Sequence, residues 1–166
     1  GDTIGIVAPS SPTNVEKVYK AKRIIKSLGY KVKLGRTCFE SKGYLAGADE
    51  DRAKDIMYMF GDGSIDAIIC LRGGYGASRL LDKLDYNLIR EHPKIFVGYS
   101  DITALHIAFN QICRLVTFHG PMAASDMSFN IDQFTINSLL KGLTSNDPLG
   151  EIRNPLAEKI GCLVPG

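Results

Sequence analysis

Ser100 has the sequence setting of a nucleophilic serine. It follows the apolar segment 95–99 and precedes a helical segment, so it lies at a sharp passage from strand to helix. A serine there projects its hydroxyl above the sheet, and the usual G-x-S-x-G pattern supplies glycines for the tight turn. The segment Gly98-Tyr99-Ser100-Asp101-Ile102 keeps the first glycine and lacks the second. The pattern therefore indicates either a nucleophile or a serine that caps the following helix.

The glycine-rich segment Arg72-Gly73-Gly74-Tyr75-Gly76 is a second candidate for chemistry. Its backbone N–H groups could bind an anion, or one of them could form an oxyanion hole together with that of Asp101. It could also be a plain tight turn whose glycines accept positive φ. The segment does not match G-x-G-x-x-G and no Walker lysine follows it, which argues against a phosphate-binding loop. Arg72 could clamp a carboxylate or form a surface ion pair.

A nucleophilic serine needs a base, and the sequence contains three histidines. His92 precedes a proline in a predicted turn and is expected to face solvent, whereas His106 lies within the predicted helix and is expected to point away from Ser100. His119 ends a predicted strand and is the one local candidate, although we interpret it as lining the pocket rather than as the base. No histidine and carboxylate stand at metal-ligand spacing, so the sequence predicts no metal and no other cofactor.

Short apolar runs alternate with amphipathic segments along most of the chain. Strands are predicted over 3–8, 31–34, 67–71, 95–99 and 115–118, and helices begin near 13, 49, 77, 102 and 131. The first helix is expected to begin with a capping box of Thr13 and Glu16 and to end at Gly29. Segment 36–47 is predicted to be a surface loop. Strands that are apolar on both faces and alternate with helices predict a doubly wound α/β fold, with a mostly parallel sheet of the Rossmann or flavodoxin type.

The predicted turns bring polar side chains to one edge of this sheet. Ligands of open parallel sheets bind beyond the carboxyl ends of the strands, where these turns must lie. Asp101 is ambiguous there, because a carboxylate in a first helical turn is stabilising without any function. The side chains expected to contact substrate at this edge are those of Ser10, Arg72, Tyr75, Tyr99 and His119.

Composition and charge favour a small-molecule partner. The 166 residues are 45% hydrophobic and 23% charged, with a formal net charge of +2 and charges of both signs in small groups. Nucleic-acid binding requires a dense basic face, so this balance gives it no support. No apolar run approaches the roughly 18 residues that cross a membrane. The four cysteines, Cys38, Cys70, Cys113 and Cys162, are far apart, which indicates a reducing compartment, most simply the cytoplasm.

The last twenty residues differ in pattern from the rest. Turn signals around Pro148 and Pro155 predict a linker over 144–155, and the apolar run after Lys159 resembles the start of another segment. We expect residues 1–145 to form the α/β domain and residues 146–166 to lead into a further domain that this chain lacks. With no initiating methionine, both ends are expected to lie within a longer protein.

Four segments, taken in order, resemble the LD-carboxypeptidase family of serine peptidases. They are 1–12, 71–81, 95–105 and 117–121. The resemblance implies a Ser–His–Glu triad that removes the terminal D-alanine of murein tetrapeptide, by cleaving an L-to-D amide bond during cell-wall recycling. Ser100 matches the nucleophile position, and the segments of Gly73, Gly74 and Asp101 match the oxyanion hole. The resemblance also implies a homodimer for the full-length protein.

In that family the triad glutamate and histidine lie on the C-terminal domain, so this chain would carry the nucleophile without its base. We therefore expect the isolated chain to fold and to hydrolyse little or nothing. The resemblance leaves open a second activity of the family, that of the self-immunity amidase that acts on microcin C-type peptide nucleotides. The Arg72–Gly76 segment looks closer to the cell-wall enzymes. A reading from another class is a non-catalytic module that binds a nucleotide or other anion on the glycine turn.

Overall fold

A five-stranded parallel sheet forms the centre of the protein. The computed structural model describes residues 1–129, 131–145, 147, 148 and 150. The strands are β1 (Thr3–Val7), β2 (Lys31–Leu34), β3 (Ala67–Cys70), β4 (Ile95–Gly98) and β5 (Phe118–His119). Their spatial order is β2-β1-β3-β4-β5, and every neighbouring pair is parallel. The helices are α1 (Val15–Ser27), α2 (Asp49–Gly61), α3 (Tyr86–Glu91), α4 (Thr103–Cys113) and α5 (Gln133–Thr144). The predicted doubly wound α/β fold is confirmed.

Both faces of the sheet are covered by apolar side chains. Ile68 of β3 packs in one cluster with Phe60 of α2 and Phe96 of β4. Its neighbour Ile69 points to the opposite face and packs in a second cluster with Ile25 of α1. Burying one such side chain stabilises a fold by about 1.5–3 kcal/mol, so strands without a polar face are held on both sides. The apolar runs of the sequence therefore predicted the covered sheet correctly.

Two predicted element boundaries differ in the structure. Asn14 rather than Thr13 caps α1, because the Asn14 side chain accepts a hydrogen bond from the Lys17 backbone N–H. The predicted capping box is therefore wrong by one residue. The predicted fifth strand is also shorter than expected, because only two residues pair with β4. Val116 is 71% exposed at this sheet edge, although its residue type favours a strand.

Irregular turns replace some predicted elements. The segment after Gly76 forms a single 3-10 turn (Ala77–Leu80), and α3 follows only after Asp85, which caps it. A 3-10 turn (Arg36–Phe39) lies within the predicted loop 36–47. A π-helical turn (Ala123–Met127) was not predicted, and its Ala124 backbone N–H donates to the Leu71 carbonyl over 2.7 Å. That bond holds the π-helical turn beside the end of β3.

The strand order creates a switch point between β1 and β3. From β1 the chain moves outward to β2, then returns to the other side of β1 to form β3. The connections on either side of a switch point diverge, which opens a crevice at the carboxyl ends of these two strands. The turns after β1, β3 and β4 all lie at this end of the sheet. The sheet therefore positions the predicted chemistry at its crevice.

Of the segment 146–166, predicted to lead into a further domain, only residues 147, 148 and 150 are described, so the predicted boundary lies largely outside the described residues. None of the described helices is both long and apolar enough to cross a membrane.

Candidate active site

Ser100 adopts a backbone conformation that is unusual for a serine. Its φ is +62°, in the left-handed region, which costs a non-glycine residue about 1–2 kcal/mol. The 3-10 turn Ser100–Ile102 leads directly into α4, and no side chain caps either element. The helix-cap interpretation of Ser100 is therefore wrong. Its side chain is exposed, and no hydrogen bond engages its hydroxyl among the described residues. Such a strained, exposed serine between strand and helix has the geometry of a nucleophile elbow.

The glycine turn after β3 lies directly against Ser100. A Cβ atom on Gly73 would stand 3.1 Å from the Ser100 Cβ and 3.3 Å from its Oγ. At Gly74, with φ of +127°, a Cβ would collide with the Ser11 side chain at 2.1 Å. The Tyr75 backbone N–H donates to Ser11 Oγ over 3.3 Å. No such partner takes the Gly73 or Gly74 N–H within the described ranges, so both remain able to receive an anion.

Asp101 ties three turns of the site together. Its carboxylate Oδ2 accepts a hydrogen bond from the Ser10 hydroxyl over 2.5 Å and one from the Ala77 backbone N–H over 2.8 Å. The turns after β1 and β3 are thereby fixed to the residue that follows Ser100. Ser10, which was predicted to contact substrate, is fully buried, and its hydroxyl is bonded to Asp101. This contact positions the turn after β1.

Arg52 is a site residue that the sequence analysis missed. It extends from α2, is fully buried, and donates to the carbonyls of Pro9 and Gly76 and to the Asp49 carboxylate. A buried arginine thus clamps the turns after β1 and β3 from beneath. Its helical spacing with the buried Ile56 was the available signal, because that spacing places Arg52 on the apolar face of α2.

Tyr99 and two histidines form a cluster below the elbow. The Tyr99 hydroxyl donates to Asp126 Oδ1 over 3.2 Å, and its ring centroid lies 5.8 Å from that of His119. His106 does not point away from the site as predicted, because its Nε2 donates to the Gly98 carbonyl over 2.9 Å. Burial lowers the pKa of His106, and burial followed by the nearby Asp126 carboxylate raises the pKa of Tyr99. The cluster supports the backbone that precedes Ser100.

The remaining predicted contacts lie around the crevice. Arg72 donates from Nε to the Gly73 carbonyl and from Nη1 to the Pro12 carbonyl, each over 3.2 Å. It makes no ion pair in the described part of the chain, so the surface ion pair considered from sequence is not found. Tyr75 is 57% exposed, with its ring beside that of Tyr44. His119 is exposed and lines a cavity of about 390 Å³ at the β5 edge.

Neither metal ligation nor thiol chemistry has support in the described ranges. No group of three histidine, cysteine, aspartate or glutamate side chains is placed to hold a metal ion there. Cys38, Cys70 and Cys113 are buried and unpaired. Burial raises the pKa of the Cys38 thiol to about 12 and that of Cys70 well above its ordinary value, so neither is a ready thiolate nucleophile.

Comparison with known proteins gives one consistent family. Residues 4–120 match the model of the LD-carboxypeptidase N-terminal domain, Peptidase_S66. A probable murein peptide carboxypeptidase from Bacillus subtilis is 47% identical over 130 residues, which are 78% of this chain and 41% of the relative. A murein tetrapeptide carboxypeptidase from Pseudomonas aeruginosa is 35% identical over 175 residues, covering 98% of this chain and 57% of that protein.

Solved structures agree with this assignment. The microcin C7 self-immunity protein MccF in its apo state superposes with a TM-score of 0.85 at 29% identity, over 89% of this chain and 46% of the MccF chain. The chain thus spans about half the length of these proteins, and the part it spans contains the elbow and the glycine turn. The chain belongs to the LD-carboxypeptidase family and carries the N-terminal domain of that family.

Proposed function

We propose that Ser100 is the nucleophile of a serine-type LD-carboxypeptidase whose catalytic centre this chain supplies in part. The proposal rests on the left-handed backbone conformation of Ser100, together with the close packing of Gly73 against its side chain. Strain of this kind persists where the surrounding structure enforces it, and here Asp101 and Arg52 fix the adjoining turns. The proposed substrate is murein tetrapeptide, as the names of the two murein carboxypeptidase relatives suggest.

The proposed reaction uses the elbow and the glycine turn in one step. Ser100 Oγ attacks the carbonyl carbon of the L-to-D amide bond while its proton passes to a base. The developing oxyanion accepts hydrogen bonds from the Asp101 N–H and from that of Gly73 or Gly74. The protonated base then gives this proton to the amide nitrogen as the C–N bond breaks, so D-alanine leaves as the amine, and water hydrolyses the ester on Ser100.

The base that accepts the proton of Ser100 is part of the proposal. No histidine donates to or accepts from Ser100 Oγ among the described residues. The family resemblance assigns the base to a histidine, oriented by a glutamate, on a C-terminal domain. Under this proposal residues 1–145 form the nucleophile domain and residues 146–166 lead into the domain that completes the triad.

Hydrolysis of murein tetrapeptide by the full-length protein tests the proposal. We expect release of D-alanine by the wild type and loss of that release in Ser100→Ala. A fluorophosphonate should label the wild type at Ser100 and leave the variant unlabelled. A well-folded full-length protein that shows neither release nor labelling would contradict the serine peptidase and would favour a non-catalytic anion-binding module, which nucleotide should then stabilise against heat.

The amidase activity of a self-immunity protein is the second candidate. It is supported by the superposition on MccF, whose curated name describes self-immunity to microcin C7. Labelling of Ser100 without D-alanine release, together with cleavage of a peptide-nucleotide amide, would select this candidate over the murein carboxypeptidase. Both candidates use the same elbow and differ in the leaving group.

Location and assembly are further parts of the proposal. The three described cysteines are buried and unpaired, which supports a reducing compartment such as the cytoplasm. The homodimer implied by the resemblance stays a prediction, and light scattering of the full-length protein would test it.

A further inference from the structure

A cavity beside the glycine turn collects hydrogen-bond donors from three parts of the fold. Its volume is about 240 Å³. The start of α1, the turn after β3 and the π-helical turn contribute its walls. The lining residues are Thr13, Lys17, Arg72, Ala124, Ser125 and Phe129. Two of these side chains are cationic and two carry hydroxyl groups, whereas none is acidic.

The guanidinium of Arg72 is fixed in place at this cavity. Hydrogen bonds from Nε to the Gly73 carbonyl and from Nη1 to the Pro12 carbonyl hold it at two points. A guanidinium has five N–H donors, so these two bonds leave donors for another group. No carboxylate pairs with Arg72 within the described ranges. A half-buried cation that the protein orients and leaves without a counter-ion is suited to receive an anion.

The other donors are similarly placed. Lys17 Nζ lies 4.6 Å from the centroid of the Phe129 ring, and it has no acidic partner in the part of the chain that the structure describes. The hydroxyls of Thr13 and Ser125 also lack a hydrogen-bond partner there. The positive end of the α1 dipole opens at the same wall, because α1 begins at Val15. The neighbouring Asp126 carboxylate is occupied by the Met122 backbone N–H over 2.8 Å and by the Tyr99 hydroxyl.

Arg72, which lines the cavity, directly precedes the glycine that packs against the proposed nucleophile. Gly73, which follows Arg72, is the glycine that meets Ser100, and successive Cα atoms are about 3.8 Å apart. We propose that this cavity binds a carboxylate of the peptide substrate, with Arg72 as the principal contact and Lys17 as the second cation. This inference rests on the proposed function. The carboxylate can come from the terminal D-alanine or from the glutamate of the same peptide, since both present the same chemistry.

The test compares three peptides on the full-length protein. They are murein tetrapeptide with lysine as its diamino acid and both carboxylates free, the same peptide as its C-terminal amide, and the peptide with its glutamate carboxylate amidated. Amidation removes the negative charge and leaves the size nearly unchanged. We expect one amide to lose about 10- to 100-fold in kcat/KM on the wild type, because a charge-assisted hydrogen bond is lost. The amide whose kcat/KM falls identifies which carboxylate of the peptide the cavity binds.

Two variants connect that loss to the cavity. Arg72→Gln should lower kcat/KM for the free peptide by about 10- to 100-fold and should abolish the discrimination against that amide. Lys17→Gln should reduce the discrimination in part, by about 3- to 10-fold. Lys20→Gln, also on α1, is the matched control and should change nothing. If Arg72→Gln lowers kcat/KM equally for all three peptides, or leaves the discrimination intact, the proposal is overturned.

A binding measurement separates this proposal from the proposed function. N-acetyl-D-alanine and N-acetyl-D-glutamine, with their uncharged amides, are titrated by NMR into full-length Ser100→Ala protein. Binding of an acid but not of its amide, abolished by adding Arg72→Gln, supports the carboxylate site even if the wild type releases no D-alanine. Equal binding of acids and amides, or no binding of any probe, overturns the site whatever the hydrolysis assay shows.

Discussion

The backbone at Ser100 has a measurable cost. Its φ of +62° favours glycine, so Ser100→Gly should relieve strain that Ser100→Ala retains. The entropy that glycine adds to the unfolded chain offsets part of this gain. We expect Ser100→Gly to have a free energy of unfolding about 1 kcal/mol higher than that of Ser100→Ala, as measured by urea denaturation.

A matched pair at Ser78 controls for the general effect of glycine. Ser78 is exposed in the 3-10 turn Ala77–Leu80, and its φ is not positive. Ser78→Gly should therefore be less stable than Ser78→Ala, by about 0.5–1 kcal/mol. The opposite order of glycine and alanine at the two positions is the expected result. The same order at both would show that the elbow is not strained.

His106 gives the stability of the protein a dependence on pH. Burial lowers its pKa, while its Nε2 donates to Gly98 and His119 is the titratable group that faces it. The folded state thus favours the neutral ring. The neutral ring contributes fully to the free energy of unfolding above the unfolded pKa of about 6.5. This contribution is lost as the pH falls from there through the lowered pKa of the folded state.

His106→Gln should remove this dependence. Between pH 7.5 and pH 5, we expect the wild type to lose more free energy of unfolding than His106→Gln does, because only the wild type must protonate this half-buried ring. His92→Gln, at an exposed position, is the control and should follow the wild type. Parallel curves for wild type and His106→Gln would contradict the assignment.

At the scale of elements, α2 holds two turns of the site through one side chain. Arg52→Met would leave the Pro9 and Gly76 carbonyls without their buried donor. We expect a loss of about 3–5 kcal/mol in the free energy of unfolding, measured in urea. Arg79 pairs with the same Asp49 carboxylate from the surface, so Arg79→Met should cost less than about 1 kcal/mol. Similar losses in both variants would refute the clamp.

The elements show what a sequence pattern can and cannot indicate. The strands β1, β3 and β4 were predictable because both of their faces are apolar, and the bounds of α2 because acidic residues mark its first turn. The π-helical turn Ala123–Met127 was not predictable, since contacts with α1 and with the Leu71 carbonyl hold it. The predicted cap of α1 was wrong by one residue because Thr13 and Asn14 are both residue types that cap helices, and local spacing alone does not choose between them.

At the scale of the molecule, the topology explains why the location of the site could be predicted from the sequence. The turns after β1, β3 and β4 meet because their strands are parallel neighbours. The contacts within that place were less predictable. Ser10 was expected to contact substrate and is buried with its hydroxyl bonded to Asp101. Arg52 was not considered because its partners are carbonyl groups distant in sequence. Side-chain roles of this kind depend on packing between elements.

The proposed division of the catalytic centre between this chain and a further domain predicts the behaviour of residues 1–166 alone. With Ser100 but without the family's histidine and glutamate, its hydrolysis of murein tetrapeptide should fall by a factor of about 10⁴ or more below that of the full-length protein. Turnover by the isolated chain at a comparable rate would contradict this expectation. Loss of such turnover in His119→Ala would make His119 the base.

The hydrogen bond between Ser10 and Asp101 joins residues 91 positions apart, and it has a consequence for how the protein folds. Closing so long a loop costs chain entropy before any contact offsets it, and parallel sheets with such distant pairings fold slowly. The elbow acquires its shape only when β1, β3 and β4 have assembled. If Ser100 is the nucleophile, as proposed, its reactive geometry should therefore appear with the slowest refolding phase, so a nascent or misfolded chain holds no serine poised to be acylated at random.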